Sequence, residues 1–150
     1  MRTLIQRVKK ASVSIDSKLY SSINEGLLIF LGVGENDTDK QVEYLVDKCT
    51  GLRIFTDEND KMNMSVKDIN GEILVVSQFT LYADCKKGKR PSFINAGRPE
   101  TAIPLYELFV EKCRQTGLMV KTGEFGADMQ IELINDGPVT IFMDTDEMGK

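Results

Sequence analysis

The chain contains no histidine at all. That removes Ser-His-Asp and Cys-His nucleophile pairs, an imidazole base working near neutral pH, and any histidine-ligated metal. Hydrolytic chemistry would have to run by another route. Tryptophan is absent too, and the 3 cysteines, Cys49, Cys85 and Cys113, form an odd, widely spaced set with no C-x-x-C pair. Neither a disulfide framework nor a zinc site follows from them, and no metal or cofactor is expected. Cys49 and Cys113 fall on helical core faces, where a thiol behaves as a small hydrophobe. Cys85 instead stands beside lysines. The apolar run Leu27 to Val33 is too short to cross a bilayer. The opening Met-Arg-Thr-Leu-Ile-Gln-Arg-Val alternates and has no signal-peptide block, which makes the cytoplasm the expected compartment. A net charge of −4 gives no general attraction to a polyanion, so nucleic acid would have to meet a local basic patch.

What is present fits one domain over residues 1–150, a length that can bury roughly two thirds of the surface its unfolded form exposes. Leu4 to Val8 and Ala11 to Ile15 read as strands, the second strictly alternating, with a turn at Asp16 to Lys18. Leu27 to Val33 reads as a core strand. Gly32 and Gly34 bracket its end, but a Gly-x-Gly pair with no third glycine and no Gly-Lys-Ser/Thr makes a poor phosphate loop. Thr38 and Gln41 have capping-box spacing, and Val42, Leu45, Val46, Cys49 and Leu52 recur at helical intervals behind them. A second helix is expected over Thr101 to Thr116, with Pro104 in its first turn and Gly117 beyond its end. Leu118 to Lys121, Met129 to Ile134 and Val139 to Met143 complete the strands, and 144–150 is expected to fray. The pattern predicts an α+β, or mixed α/β, fold: a largely antiparallel sheet or partial barrel with two main helices packed against it.

Three stretches carry chemistry. Glu72 to Tyr82 begins with the aliphatic run Ile73 to Val76, which predicts a strand covered on both faces, and then takes in Ser77, Gln78 and Thr80. Burying such groups unpartnered costs about 1–3 kcal/mol each, so they need either neighbouring loops or a site. If the strand continued, Gln78 and Thr80 would share one face, with Ser77 and Phe79 on the other. Ala83 to Pro91 holds Lys86, Lys87, Lys89 and Arg90 around a glycine, a cationic loop that is either simply solvated or a phosphate contact. Asn135-Asp136-Gly137-Pro138 consists of turn residues, and the plain expectation is a chain reversal between two strands.

Taken together, Ser77-Gln78-Phe79-Thr80 and Asn135-Asp136-Gly137-Pro138-Val139-Thr140 resemble the two signatures of the D-aminoacyl-tRNA deacylase family, Ser-Gln-x-Thr and Asn-x-Gly-Pro-x-Thr. The likeness extends to Leu-Ile-Gln-Arg-Val near the start, to Arg-Ile-Phe-Thr-Asp and Lys-Met-Asn in the middle, and to Arg90-Pro91-Ser92-Phe93. It implies a homodimer that hydrolyses the ester between a D-amino acid, or mischarged glycine, and the terminal ribose of tRNA. The resemblance further implies an active site at the subunit interface. There Gly137 and Pro138 of one copy, joined by a cis bond, exclude an L side chain from the pocket of the other.

The resemblance points to Ser77, Gln78, Phe79 and Thr80 as catalytic and to Gly137, Pro138 and Arg7 as substrate-binding. Lys86, Lys87, Lys89 and Arg90 become candidates for tRNA contact. Thr80 has no base in sequence to activate it. This favours a positioning role for its hydroxyl, backbone donors for the carbonyl, and a ribose hydroxyl that helps water attack. For Arg7 the alternative is a surface arginine on an edge strand. Competing functions are a non-catalytic RNA-binding module, a Cys85-dependent hydrolase, and a purely structural dimer.

Overall fold

The computed structural model describes residues 1–150. The elements run β1 (Arg2–Ile15), β2 (Lys18–Ile23), β3 (Gly26–Gly32), α1 (Asp39–Gly51), β4 (Phe55–Thr56), β5 (Met62–Met64) and β6 (Glu72–Ser77). A 3₁₀ turn (Phe79–Tyr82) follows, then α2 (Pro99–Gln115), β7 (Met119–Thr122) and β8 (Gln130–Asp144). β1 is central. It pairs with β8 along one edge and with β3 and then β2 along the other, all antiparallel, while β6 and β7 extend the sheet in parallel. The sheet curls until Ser21 on β2 donates to the Thr122 carbonyl on β7 at 2.6 Å, which makes it a nearly closed partial barrel. Most pairings are antiparallel, as the sequence predicted.

Because β3 and β6 are apolar at consecutive positions, they bury both faces. Leu27, Ile29, Ile73 and Val75 join the core beneath the two helices, and Leu28, Leu74 and Val76 join a smaller core with Val8 and Val13. Helix α1 starts where the capping-box spacing put it, with the Thr38 N–H donating to Gln41 Oε1 at 2.9 Å. Cys49 and Cys113 are both buried, and burial raises both thiols, Cys113 to about 12. They are core hydrophobes, as expected.

Three expectations about the strands need correction, and the second helix starts earlier than expected, at Pro99, which puts Pro104 inside it and not in its first turn. The two strands expected over residues 4–15 are one, β1, which turns into β2 through Asp16 and Ser17, both at positive φ. The strand expected over Glu72 to Tyr82 ends at Ser77. Asn135–Pro138 does not reverse the chain: β8 continues beyond it in the same direction and stays paired with β1 on both sides. The end is also better anchored than a frayed tail from Asp144. Asp144 still pairs with Arg2, and Thr145 is fully buried, while the residues after it lie in exposed turns.

Candidate active site

At the end of β6 the Gln78 N–H still bonds to Leu31 O on β3 at 2.8 Å, and there the strand stops. Leu81 N–H reaches back to Gln78 O at 3.2 Å and Ala83 N–H to Thr80 O at 3.1 Å, winding the next residues into the 3₁₀ turn. The alternation expected of Gln78 and Thr80 therefore does not apply. Instead the Gln78 amide donates to the Thr80 hydroxyl, and Phe79 turns outward. Helical geometry leaves the first N–H groups of a turn, here those of Phe79 and Thr80, without a partner inside it. These are main-chain donors of the kind that stabilise a developing oxyanion.

The turn is clamped from distant parts of the chain. Arg2 donates to Leu81 O at 2.9 Å, lies 4.3 Å from the Tyr82 ring centre and pairs with Asp144 at 2.6 Å. The Tyr82 hydroxyl donates to Asp37 at 3.4 Å, and the same carboxylate accepts the Gly34 N–H at 2.5 Å. Burial first, and then the Asp37 charge, push the Tyr82 phenol upward, so it stays a neutral donor. The Gly-x-Gly pair now has a packing reason. A Cβ on Gly32 would stand 3.0 Å from Gln78 O, and one on Gly34 would stand 2.6 Å from the Tyr82 hydroxyl.

A cavity of about 280 Å³ opens at this strand end, with Leu31, Ser77, Gln78, Phe79, Tyr106 and Phe125 in its wall. Its lining is mostly apolar, with polar groups concentrated at Ser77 and Gln78, the composition of a small-molecule pocket. Thr80 stands exposed just outside that lining. Cys85 is exposed in the cationic loop and is not part of the wall. No three His, Cys, Asp or Glu side chains converge on one point.

The second signature forms a bulge. Gln6 pairs with Thr140 and Val8 with Asn135, so Arg7 alone opposes the four residues Asp136 to Val139. The excess chain arches outward, leaving Gly137 and Pro138 exposed and joined by a cis bond. Asn135 closes the neck, its amide donating to Arg7 O at 3.0 Å and Val139 O at 2.9 Å. The Thr140 hydroxyl donates back to Asn135 Oδ1 at 3.3 Å and accepts from Gln6 at 3.2 Å. Gln6, Asn135 and Thr140 were not singled out from the sequence, although the outer letters of Asn-x-Gly-Pro-x-Thr already marked two of them.

Arg7 is neither a surface residue nor on an edge strand. It is 9% exposed on central β1, donating to Ile54 O at 2.6 Å and Asp136 O at 3.0 Å, with the Asp136 carboxylate 3.4 Å away. It supports the bulge from below. The same carboxylate, through a hydrogen bond, is the main reason Lys9 is shifted upward.

Within one chain the two signatures stay apart. Arg7 pairs with Leu27 and Leu27 with Ile73, while Ser77 lies four residues further along β6 and three strands from β8. That amounts to roughly 13 Å along the strands and roughly 14 Å across them over the sheet surface. Neither Gly137, Pro138 nor Arg7 lines the cavity.

Comparison with known proteins identifies the family and the fold. The profile of the family described as D-Tyr-tRNA(Tyr) deacylase matches residues 4–144. The chain is 56% identical to the D-aminoacyl-tRNA deacylase of Thermotoga petrophila over 148 residues, covering 99% of each chain. It is also 56% identical to that of Clostridioides difficile over 145 residues, covering 97% of each. A solved structure described as c-Myc DNA Unwinding Element Binding Protein superposes with a TM-score of 0.91 at 42% identity, over 96% of this chain and 98% of its own. A structure of a probable eukaryotic D-amino acid tRNA deacylase, 18% identical, covers 95% of this chain and 97% of its own with a TM-score of 0.81, and so shares the fold. With both signatures intact on that fold, the chain belongs to the D-aminoacyl-tRNA deacylase family.

Proposed function

We propose that the chain hydrolyses the ester joining a D-amino acid, or mischarged glycine, to the terminal ribose of tRNA, releasing free amino acid and tRNA. The terminal nucleoside occupies the apolar cavity at the end of β6, and its ester carbonyl faces the free N–H groups of Phe79 and Thr80. Water attacks the carbonyl carbon, the amides hold the resulting oxyanion, and the ester C–O bond breaks with the ribose oxygen taking a proton. The neighbouring ribose hydroxyl orients the water, and Gln78 and Thr80, already bonded to each other, fix the ribose. Positioning of this kind can contribute roughly 7–11 kcal/mol in favourable cases, which makes a histidine base unnecessary.

The observation that carries the reading is the exposed Gly137–Pro138 arch, presented by the chain but outside its own cavity. A second copy supplies it. β8 is an edge strand of 15 residues, with Ile134 50% and Phe142 48% exposed on either side of the arch. A long edge strand that exposes large apolar side chains on both sides of the arch favours a covering partner. In the homodimer the arch of one subunit fills the space that an L side chain would need and leaves room for hydrogen or a D side chain, so selectivity rests on steric rejection. The protein acts in the cytoplasm, consistent with its having no helix long and apolar enough to cross a membrane.

The direct test is incubation with matched D- and L-aminoacyl-tRNA in the presence of a chelator. Release from the D form alone is expected, and equal release from both would remove the steric filter. Thr80→Ala separates positioning from nucleophilic attack. Because no side-chain base contacts the Thr80 hydroxyl and its bonded partner is the Gln78 amide, the variant should keep turnover within about tenfold of the parent. Near-complete loss with unchanged binding, or a trapped acyl-Thr80 adduct, would make Thr80 the nucleophile.

A further inference from the structure

The segment after the 3₁₀ turn forms a closed loop whose two faces differ. Asp84 and Ser92 exchange both backbone bonds, at 2.8 and 3.0 Å, pinching the loop at its base. Beyond it, Ala96 bridges Gly34, and Gly97 N–H bonds Val33 O at 2.8 Å, which returns the chain to the cavity wall. On the pocket side, Phe79 and Phe93 meet edge to face with ring centres 5.1 Å apart. Phe79 is 56% exposed, and the adjacent Ile94, at 78%, is the most exposed large apolar side chain of the chain. At the far end lie Lys86, Lys87, Lys89 and Arg90, none of them in an ion pair.

We propose that this ledge is the landing surface for the unpaired 3′ end of the RNA: Phe93 and Ile94 take the base next to the terminal nucleoside, and the loop cations take the phosphates that follow. The inference rests on the proposed reaction and adds how the rest of the substrate is held. Apolar surface that leads directly out of a pocket wall and ends in free cations matches a strand whose bases and phosphates run in the same direction. Stacking on an aromatic face tolerates any base, and phosphates attract cations whatever the sequence. The pinched base and the two returns to Val33 and Gly34, just past β3, hold the ledge in place before binding, so little ordering remains to oppose association. The chain carries −4 overall, so four cations within five positions form a local feature of opposite sign.

The test compares full-length D-aminoacyl-tRNA with D-aminoacyl-adenosine, which ends inside the cavity. Turnover of both by the parent protein tests the reaction itself, independently of the ledge. Phe93→Ala and Ile94→Ser are each expected to raise KM for the full-length substrate about tenfold. Their kcat should stay within twofold of the parent, and their kinetics on the adenosine substrate should not change. Ile94 has little buried surface to lose, so its variant will fold. Lys86→Gln combined with Lys89→Gln should lower the slope of log KM for tRNA against log salt by about 1.4. Equal losses on both substrates would make the ledge a support for the pocket. Unchanged KM on full-length tRNA, or a change of oligomeric mass in the Phe93 variant, would overturn the proposal, the latter by making the ledge a contact between copies.

Discussion

Gly137→Ala is expected to lower kcat/KM for D-aminoacyl-tRNA about 100-fold and to lower the D-over-L ratio with it. Gly137 has φ of +133°, and an added Cβ would lie 2.8 Å from Val139 Cγ2, 3.0 Å from the Val139 nitrogen and 3.0 Å from an Arg7 guanidinium nitrogen. Backbone strain at such a φ costs on the order of 1–3 kcal/mol. The arch can relieve it only by moving, because Asn135 and Arg7 fix its base. A shift of about 1 Å in a positioning element can cost two orders of magnitude in rate. Since β8 remains paired with β1 on both sides, the fold should survive, so the loss will be seen in rate and selectivity. Parent-like turnover with a parent-like D-over-L ratio would show that the arch has no part in the reaction.

Arg7→Met should be the most damaging substitution to stability among the site residues. Methionine roughly replaces the aliphatic stem but leaves the carbonyls of Ile54 and Asp136 without their donor, together with the nearby Asp136 carboxylate. Leaving buried acceptors unpaired costs about 1–3 kcal/mol each, and one lies at the partly solvated neck, so a net loss of about 2–3 kcal/mol is expected. For a chain of this size that lowers Tm by about 5–10 °C in a thermal melt. Arg7→Lys should recover little, because a single ammonium cannot serve acceptors on opposite sides as a guanidinium fork does. A Tm within 2 °C of the parent in the methionine variant would mean that the arch is held by Asn135 alone.

Both helices and most strands were legible because their signals are local: capping-box spacing at Thr38, apolar recurrence through Cys49, and unbroken aliphatic runs in β3 and β6. The site departed from expectation wherever a distant residue decided the backbone. Phe79, Thr80 and Tyr82 are good strand formers, yet the chain turns there because Leu31 holds the last strand bond and Arg2, 79 positions from Leu81, holds the turn's carbonyl. Asn135 to Pro138 has the composition of a reversal, and it becomes a bulge only because both flanks pair with β1. Burial of Arg7 could not be read from a residue type that is mostly exposed, since its partners lie 47 and 129 positions away. The signatures marked the candidate residues, and the fold shows where they lie: a 3₁₀ turn with free main-chain donors at one end of the sheet and an outward arch at the other.

The bulge also bears on how this protein can change over time. Its two flanks are registered to β1 independently, Thr140 through Gln6 and Asn135 through Val8. The number and identity of the residues between them are therefore not constrained by the pleat, and a replacement there need not shift any other side chain from one face of the sheet to the other. Few places in a sheet protein allow this. The segment proposed to set chirality is thus released from the register of the sheet, and what limits replacement within it is local, above all the positive φ of Gly137.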